Sequence, residues 1–111
     1  MFKTKLKTFK IEKGVYALKS ELIYKTDDLE IIVPVGFKTD LASVPKPLKK
    51  IWKPFGKYSR SAVLHDYLYE TDMDRKECDK LFKEAMISDD VNPFTIDAFY
   101  IIVRLFGWTH R

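Results

Sequence analysis

An imidazole beside a carboxylate is the clearest chemical signal in this sequence. His65 and Asp66 stand together in Ala62-Val63-Leu64-His65-Asp66-Tyr67-Leu68-Tyr69. On a helix Ala62, His65, Asp66 and Tyr69 share one face, at spacings of three, four and seven. Both polar groups then point into the same space, beside one small residue. That pairing suits general acid–base chemistry or metal ligation. A lone histidine is more often a hydrogen-bonded structural residue, and the doublet with Tyr69 brings the functional reading level with that one.

Two further segments supply partners. Asp40 and Ser43 lie in Phe37-Lys38-Thr39-Asp40-Leu41-Ala42-Ser43-Val44-Pro45, just past a strand end. Their bland role is to cap a turn through side-chain to backbone bonds. Asp79 follows Cys78 and precedes Phe82, at the edge of an apolar helical stripe. Its bland role is a surface ion pair with Arg75 or Lys83, worth little. Its sharper role is a third carboxylate facing His65 and Asp66.

The candidate catalytic set is therefore Asp40, Ser43, His65, Asp66 and Asp79. Asp40, His65 and Asp66 are its candidate ligands for a divalent metal such as Zn, Mn or Mg. There is no His-Glu-x-x-His and no second upstream histidine, since His110 stands next to the C-terminus. Ser43 has the residue type of a nucleophile but no Gly-x-Ser-x-Gly elbow. A metal-free Asp/His site acting on a glycan stays open beside these. In the last helical segment Asp97, Tyr100 and Arg104 form a polar stripe. Arg104 is expected to be structural, holding a carboxylate such as Asp40 or Asp66 or reaching solvent.

The elements that must position these residues follow from the hydropathy pattern. Val15-Tyr16-Ala17-Leu18, Leu22-Ile23-Tyr24 and Leu29 to Val35 read as short strands, separated by turn residues. Residues 40–58 carry Pro45, Pro47, Pro54 and Gly56 and read as a loop. From Ser59 the period becomes helical. One helix runs to about Tyr69. A second opens with the capping pattern Asp74-x-x-Glu77 and buries Cys78, Leu81, Phe82, Ala85 and Met86. A third runs from Phe94 to Phe106 with Gly107 as its stop. The fold class is α+β: an N-terminal antiparallel sheet of three to four strands, then three helices, the last a central core helix.

Length and composition set the bounds. The 111 residues fit a single domain, 1–111. The apolar share of 46% and charged share of 32% are ordinary for a globular chain. No apolar run reaches the roughly 18 residues of a membrane span, and no apolar core follows the first lysines as a signal peptide would require. The single cysteine, Cys78, excludes an internal disulfide. A reducing, cytosolic place of synthesis is the expectation.

The net charge of +4 hides a split. Residues 1–60 hold 14 Lys+Arg and 6 Asp+Glu, whereas residues 61–111 hold 6 and 10. Part of the basic excess is a Lys/aromatic run in which Lys49, Lys50, Trp52, Lys53 and Lys57 stand beside Lys46, Phe55, Tyr58 and Arg60. Basic groups interleaved with aromatics suit phosphate contact and base stacking. Nucleic acid is thus a third function class, against which the acidic second half weighs. Alternating lysines from Lys3 to Lys13 equally read as guards on an edge strand.

Four motifs in order carry a resemblance. They are Gly36-Phe37-x-Thr39-Asp40-x-Ala42-Ser43-Val44-Pro45, then Ala62 to Tyr69, then Asp79-x-x-Phe82-x-x-Ala85-Met86, then Tyr100-x-x-Val103-Arg104-x-Phe106-Gly107. The chain resembles the phage and prophage family catalogued as domain of unknown function 1353, over roughly residues 29–107. The resemblance implies a small single-domain protein of tailed bacteriophages or prophages, made in the bacterial host cytoplasm, with no settled activity. It implies recurrent polar positions at Thr39, Asp40, Ser43, His65, Asp66 and Asp79, with Arg75 before the last. Lys46 stands where arginine is usual, which weakens bidentate anion binding there. Cys78 stands where alanine is usual, as a small hydrophobe. Two roles remain open: a hydrolase-like or metal-binding Asp/His site, and a non-catalytic accessory protein that joins the virion or tail or binds a phage or host protein.

Overall fold

The structure is a computed structural model that describes residues 1–40 and 56–106. The N-terminal region forms five short strands: β1 (Thr8–Glu12), β2 (Val15–Leu18), β3 (Leu22–Lys25), β4 (Glu30–Val33) and β5 (Lys38–Thr39). They divide into two antiparallel sheets, β1-β2-β5 and β3-β4. Gly14, at φ +79°, closes the tight β1–β2 hairpin, and Gly36, at φ +86°, takes the left-handed position of the turn from Pro34 to Phe37. A side chain is strained at such angles, which is why these turns fall at glycines. The second turn sends the chain back so that Lys38 and Thr39 pair with Ala17 and Tyr16 of β2. The first residues add to the other sheet: Lys3 donates to the Ile23 carbonyl, and Lys25 donates to that of Met1.

Three helices follow, α1 (Ser59–Tyr69), α2 (Arg75–Ser88) and α3 (Pro93–Phe106). Asp74 caps α2, its carboxylate accepting from the Lys76 amide at 3.2 Å. The α+β class and the order of strands before helices are as the sequence implies. Among the described residues the strands number five, in two sheets.

Two apolar clusters make the core. One joins Leu18, Leu22, Tyr24 and Val33 of the sheets to Val63, Leu64 and Leu68 of α1 and to Cys78, Leu81 and Ala85 of α2. The other joins Tyr58 and Ala62 to Phe82 and Met86 of α2 and to Ile96 and Phe99 of α3. Helix α1 therefore has apolar neighbours on two sides, and its residues 61–65 are all buried. Helix α3 is buried on one side only. Phe94, Ile101 and Leu105 are exposed, although the helix is apolar nearly all round. Its apolarity placed it at the centre of the core in sequence terms. In the structure it packs on α2 through one face, and α1 and α2 supply most of the buried positions.

Arg60 ties the two halves together. Its Nε donates to Asp89 Oδ2 at 3.0 Å, its Nη2 to Asp89 Oδ1, and its Nη1 to the Thr4 carbonyl at 3.0 Å. The guanidinium also lies over the Phe2 ring, 4.7 Å from its centroid. One side chain thus fixes the N-terminal segment, the start of α1 and the end of α2.

Candidate functional site

The capped start of α2 and the inward stripe of that helix decide where Asp79 goes. Its neighbours Cys78, Leu81 and Phe82 are buried, and Asp79 is carried inward with them to full burial. A bare carboxylate in that position would be strongly disfavoured. Three donors meet it. His65 Nε2 lies 2.7 Å from Oδ1, and the Tyr69 hydroxyl donates to the same oxygen at 2.5 Å. Arg104 Nη1 donates to Oδ2 at 2.8 Å. The cluster draws one side chain from α2, two from α1 and one from α3, so it pins the three helices to one another.

Helical spacing explains the pair from α1, because His65 and Tyr69 are one turn apart on the same face. Apolar packing fixes the imidazole. It stacks on Phe82 with centroids 4.6 Å apart, and the Tyr69 ring lies 4.2 Å away. Only 9% of His65 is exposed. Arg75 completes the surround, its Nη2 donating to the Arg104 carbonyl at 3.2 Å.

The electrostatics follow from these contacts. Burial pushes the Asp79 pKa up, but the bonds from His65, Tyr69 and Arg104 together outweigh it and hold the carboxyl below its ordinary value. Burial and the bond to Asp79 both push the Tyr69 hydroxyl far up, so it stays a donor. The bond to Asp79 raises Arg104. With Asp79 ionised, the hydrogen between the ring and the carboxylate resides on His65 Nε2. Nδ1 is then left as the second functional atom of the ring. Among the described residues it has no hydrogen-bond partner.

The match to the family model spans residues 16–103. The chain belongs to the DUF1353 family, described as a protein of unknown function. No curated protein and no solved structure matches it.

In this DUF1353 chain the structure joins His65 and Asp79 directly. The surface ion pair with Arg75 or Lys83 does not form. Lys83 instead lies over the Tyr100 ring, 5.0 Å from its centroid. Arg104 does hold a carboxylate, but its partner is Asp79 rather than Asp40 or Asp66. Asp40 is exposed just beyond β5, and Asp66 is half-buried beside His65. Among the described residues no group of three or more His, Cys, Asp and Glu could hold a metal ion. The set Asp40, His65 and Asp66 is therefore not assembled as a metal centre there, and Nε2 of the histidine is already committed.

Ser43 and, from the Lys/aromatic run, Lys49, Lys50, Trp52 and Lys53 lie outside the described residues. Lys57 is exposed, and Arg60 is drawn to Asp89. Among the described residues no helix is long and apolar enough to cross a membrane.

Tyr69 and Arg104 were visible as polar residues, but their common target was not. Their signals were the i+4 spacing from His65 and the single cation on the inner half of α3.

Proposed function

We propose that the chain is a small hydrolase in which His65 acts as general base on a water molecule, oriented by Asp79. The observation that carries this reading is the division of labour on one imidazole. Nε2 is fixed by a buried, ionised carboxylate, while Nδ1 has no hydrogen-bond partner among the described residues. A buried aspartate that fixes tautomer and orientation and stabilises the imidazolium is the arrangement that makes histidine an effective base. Tyr69 and Arg104 are positioning residues, since they act on Asp79 and not on the reacting atoms.

The step is written for a carbonyl substrate. Nδ1 takes a proton from water as the water oxygen bonds to the carbonyl carbon. The tetrahedral adduct then expels the alcohol or amine, which takes the proton back from His65. Asp66, next to the base in sequence and half-buried, is the carboxylate proposed to hold a substrate group or a cation. A phage or prophage source and synthesis in a bacterial host belong to this proposal on the motif resemblance alone.

The test uses p-nitrophenyl acetate and butyrate with the wild type, His65→Gln and Asp79→Asn, each checked for folding by thermal melting. Loss of a general base lowers the rate about 100-fold or more. Hydrolysis no faster than buffer, or equal rates for wild type and a folded His65→Gln, sinks the proposal.

A second reading has its own support. Both Asp79 oxygens are satisfied and the residue is fully buried, so the cluster also suits a non-catalytic lock between helices. The function then lies on the surface, as in a virion or tail accessory protein or a host-protein-binding factor. Equal rates for wild type and His65→Gln favour this role.

A further inference from the structure

The three-stranded sheet has two unlike faces. Alternation along the strands and the pairing Thr8 with Leu18 and Tyr16 with Thr39 place Tyr16, Leu18 and Thr39 on the core side. Leu18 and Thr39 are buried there, and Tyr16 packs against the core. The opposite side carries Phe9, Ala17 and Lys38, which face one another in the registers Phe9 with Ala17 and Ala17 with Lys38. Lys7 and Lys19 share its parity and are joined by a backbone bond of 2.8 Å. Ile11 adjoins at the irregular end of β1.

Ala17 itself is buried, and the exposed part of this face is an apolar pair, Phe9 and Ile11, with a basic rim. Phe9 is 48% exposed and Ile11 44% exposed. Lys7, Lys19 and Lys38 are exposed around them. Across residues 1–20 six lysines face one acid, Glu12. Guarding an edge accounts for Lys7 beside β1 and Lys38 on β5, the two edge strands, but not for Lys19, which stands just past the central strand β2. An exposed aromatic and an exposed isoleucine two residues on, at the irregular end of the strand, are also the opposite of an edge guard.

We infer that this face docks the chain onto an anionic lipid surface, with Phe9 and Ile11 entering the headgroup region and Lys7, Lys19 and Lys38 contacting lipid phosphates. The charge pattern selects the occupant. Lysine stems lie along apolar surface while their ammonium groups stay at the polar boundary, and anionic headgroups attract them. A nucleic acid would use the lysines but gain nothing from an isoleucine. The inference is independent of the role of His65.

The test is co-sedimentation of the full chain with vesicles of phosphatidylglycerol and phosphatidylcholine in equal parts, against vesicles of phosphatidylcholine alone, at low ionic strength. The wild type is expected to bind the anionic vesicles at least tenfold more tightly. Replacing all three lysines (Lys7→Gln, Lys19→Gln, Lys38→Gln) is expected to weaken binding about 100-fold, at roughly fivefold per residue. Phe9→Ser with Ile11→Ser is expected to weaken it about tenfold. All substituted positions are exposed, and unchanged thermal melting confirms that each variant is folded. No binding to anionic vesicles, or equal binding to both kinds, overturns the inference. Binding that needs the lysines but ignores Phe9→Ser/Ile11→Ser also overturns it, in favour of a plain polyanion such as nucleic acid.

Discussion

Asp79→Asn is the sharpest perturbation of the buried cluster, because it removes a charge and almost no volume. The asparagine carbonyl can take the place of Oδ1 and still accept from His65 and Tyr69. Its amide then faces Arg104, donor against donor, and the arginine must turn away. The Arg104 side chain is one-third exposed and can find water, so that bond is left out of the magnitude. The other two bonds change from charge-assisted to neutral, which costs about 1–1.5 kcal/mol each and about 2–3 kcal/mol together. For a chain of this size that lowers the melting temperature by about 10 °C. Urea unfolding gives the free energy through the midpoint at an unchanged slope.

Acid pH provides a second reading of the same quantity. The folded-state pKa of Asp79 is depressed, so its stabilisation is present above the unfolded value of about 3.9 and is lost as pH falls through the lower folded value. The gap between wild type and Asp79→Asn should therefore be full at neutral pH and narrow in that acidic window. A variant within about 0.5 kcal/mol of the wild type at neutral pH, or a gap that does not close in acid, refutes the claim that an ionised Asp79 organises the helices.

Three other substitutions or probes test the frame around the cluster. Phe82→Ala empties a position shared by the imidazole stack and the second apolar cluster, and should cost about 3–5 kcal/mol in urea unfolding. Arg60→Ala removes the bonds to Asp89 and the Thr4 carbonyl. It should cost about 1–2 kcal/mol and speed amide exchange at Lys3 and Ile23, which flank that anchor. Cys78 is fully buried, so Ellman's reagent should fail to label it in the folded chain and label it completely in urea.

Local patterns were legible in the sequence and distant pairings were not. The stripe Cys78, Leu81, Phe82, Ala85 and Met86 and the Asp74 cap placed α2 correctly, because a helix is specified by its own spacing. The hydropathy of α1 misled more. A residue set that looked two-faced is buried on both sides, since the sheets cover one flank and α2 with α3 the other. Lys38 and Thr39 read as the exit from a strand, yet they pair with Ala17 and Tyr16 of β2, 21 and 23 residues earlier, and no local signal records that partner. Arg104 shows the same limit. Its polar character on an apolar helix left a buried carboxylate and solvent both open as its partner, and the choice of Asp79 over Asp40 or Asp66 depends on how α3 lies against α2. Asp40, offered as a site residue for its place after a strand, is exposed, in keeping with the ordinary habit of aspartate at turns.

The make-up of the cluster bears on which role it serves. A lock between three helices does not require a charge, since well-packed apolar side chains of similar volume are often as stabilising as a buried ion pair. A neutral lock would also have no use for an imidazole, whose second nitrogen makes no contribution to the bonds around Asp79. The arrangement found here instead spends three donors on keeping one carboxylate ionised, and that carboxylate holds Nε2 of a histidine in one tautomer. These are the features on which the proposed role of Nδ1 as proton acceptor rests. The lock and the base are thus compatible: Tyr69 and Arg104 stabilise the fold through Asp79, and the same bonds orient His65. Tyr69→Phe separates the two contributions. It leaves the ring volume and the stack on His65 in place and deletes one bond to the carboxylate, at about 1–2 kcal/mol. If the cluster is only a lock, ester hydrolysis by this variant is unchanged wherever the protein stays folded. If His65 is the base, the rate falls while the chain is still fully native, and nitrogen-15 spectra show a smaller preference for the tautomer protonated at Nε2.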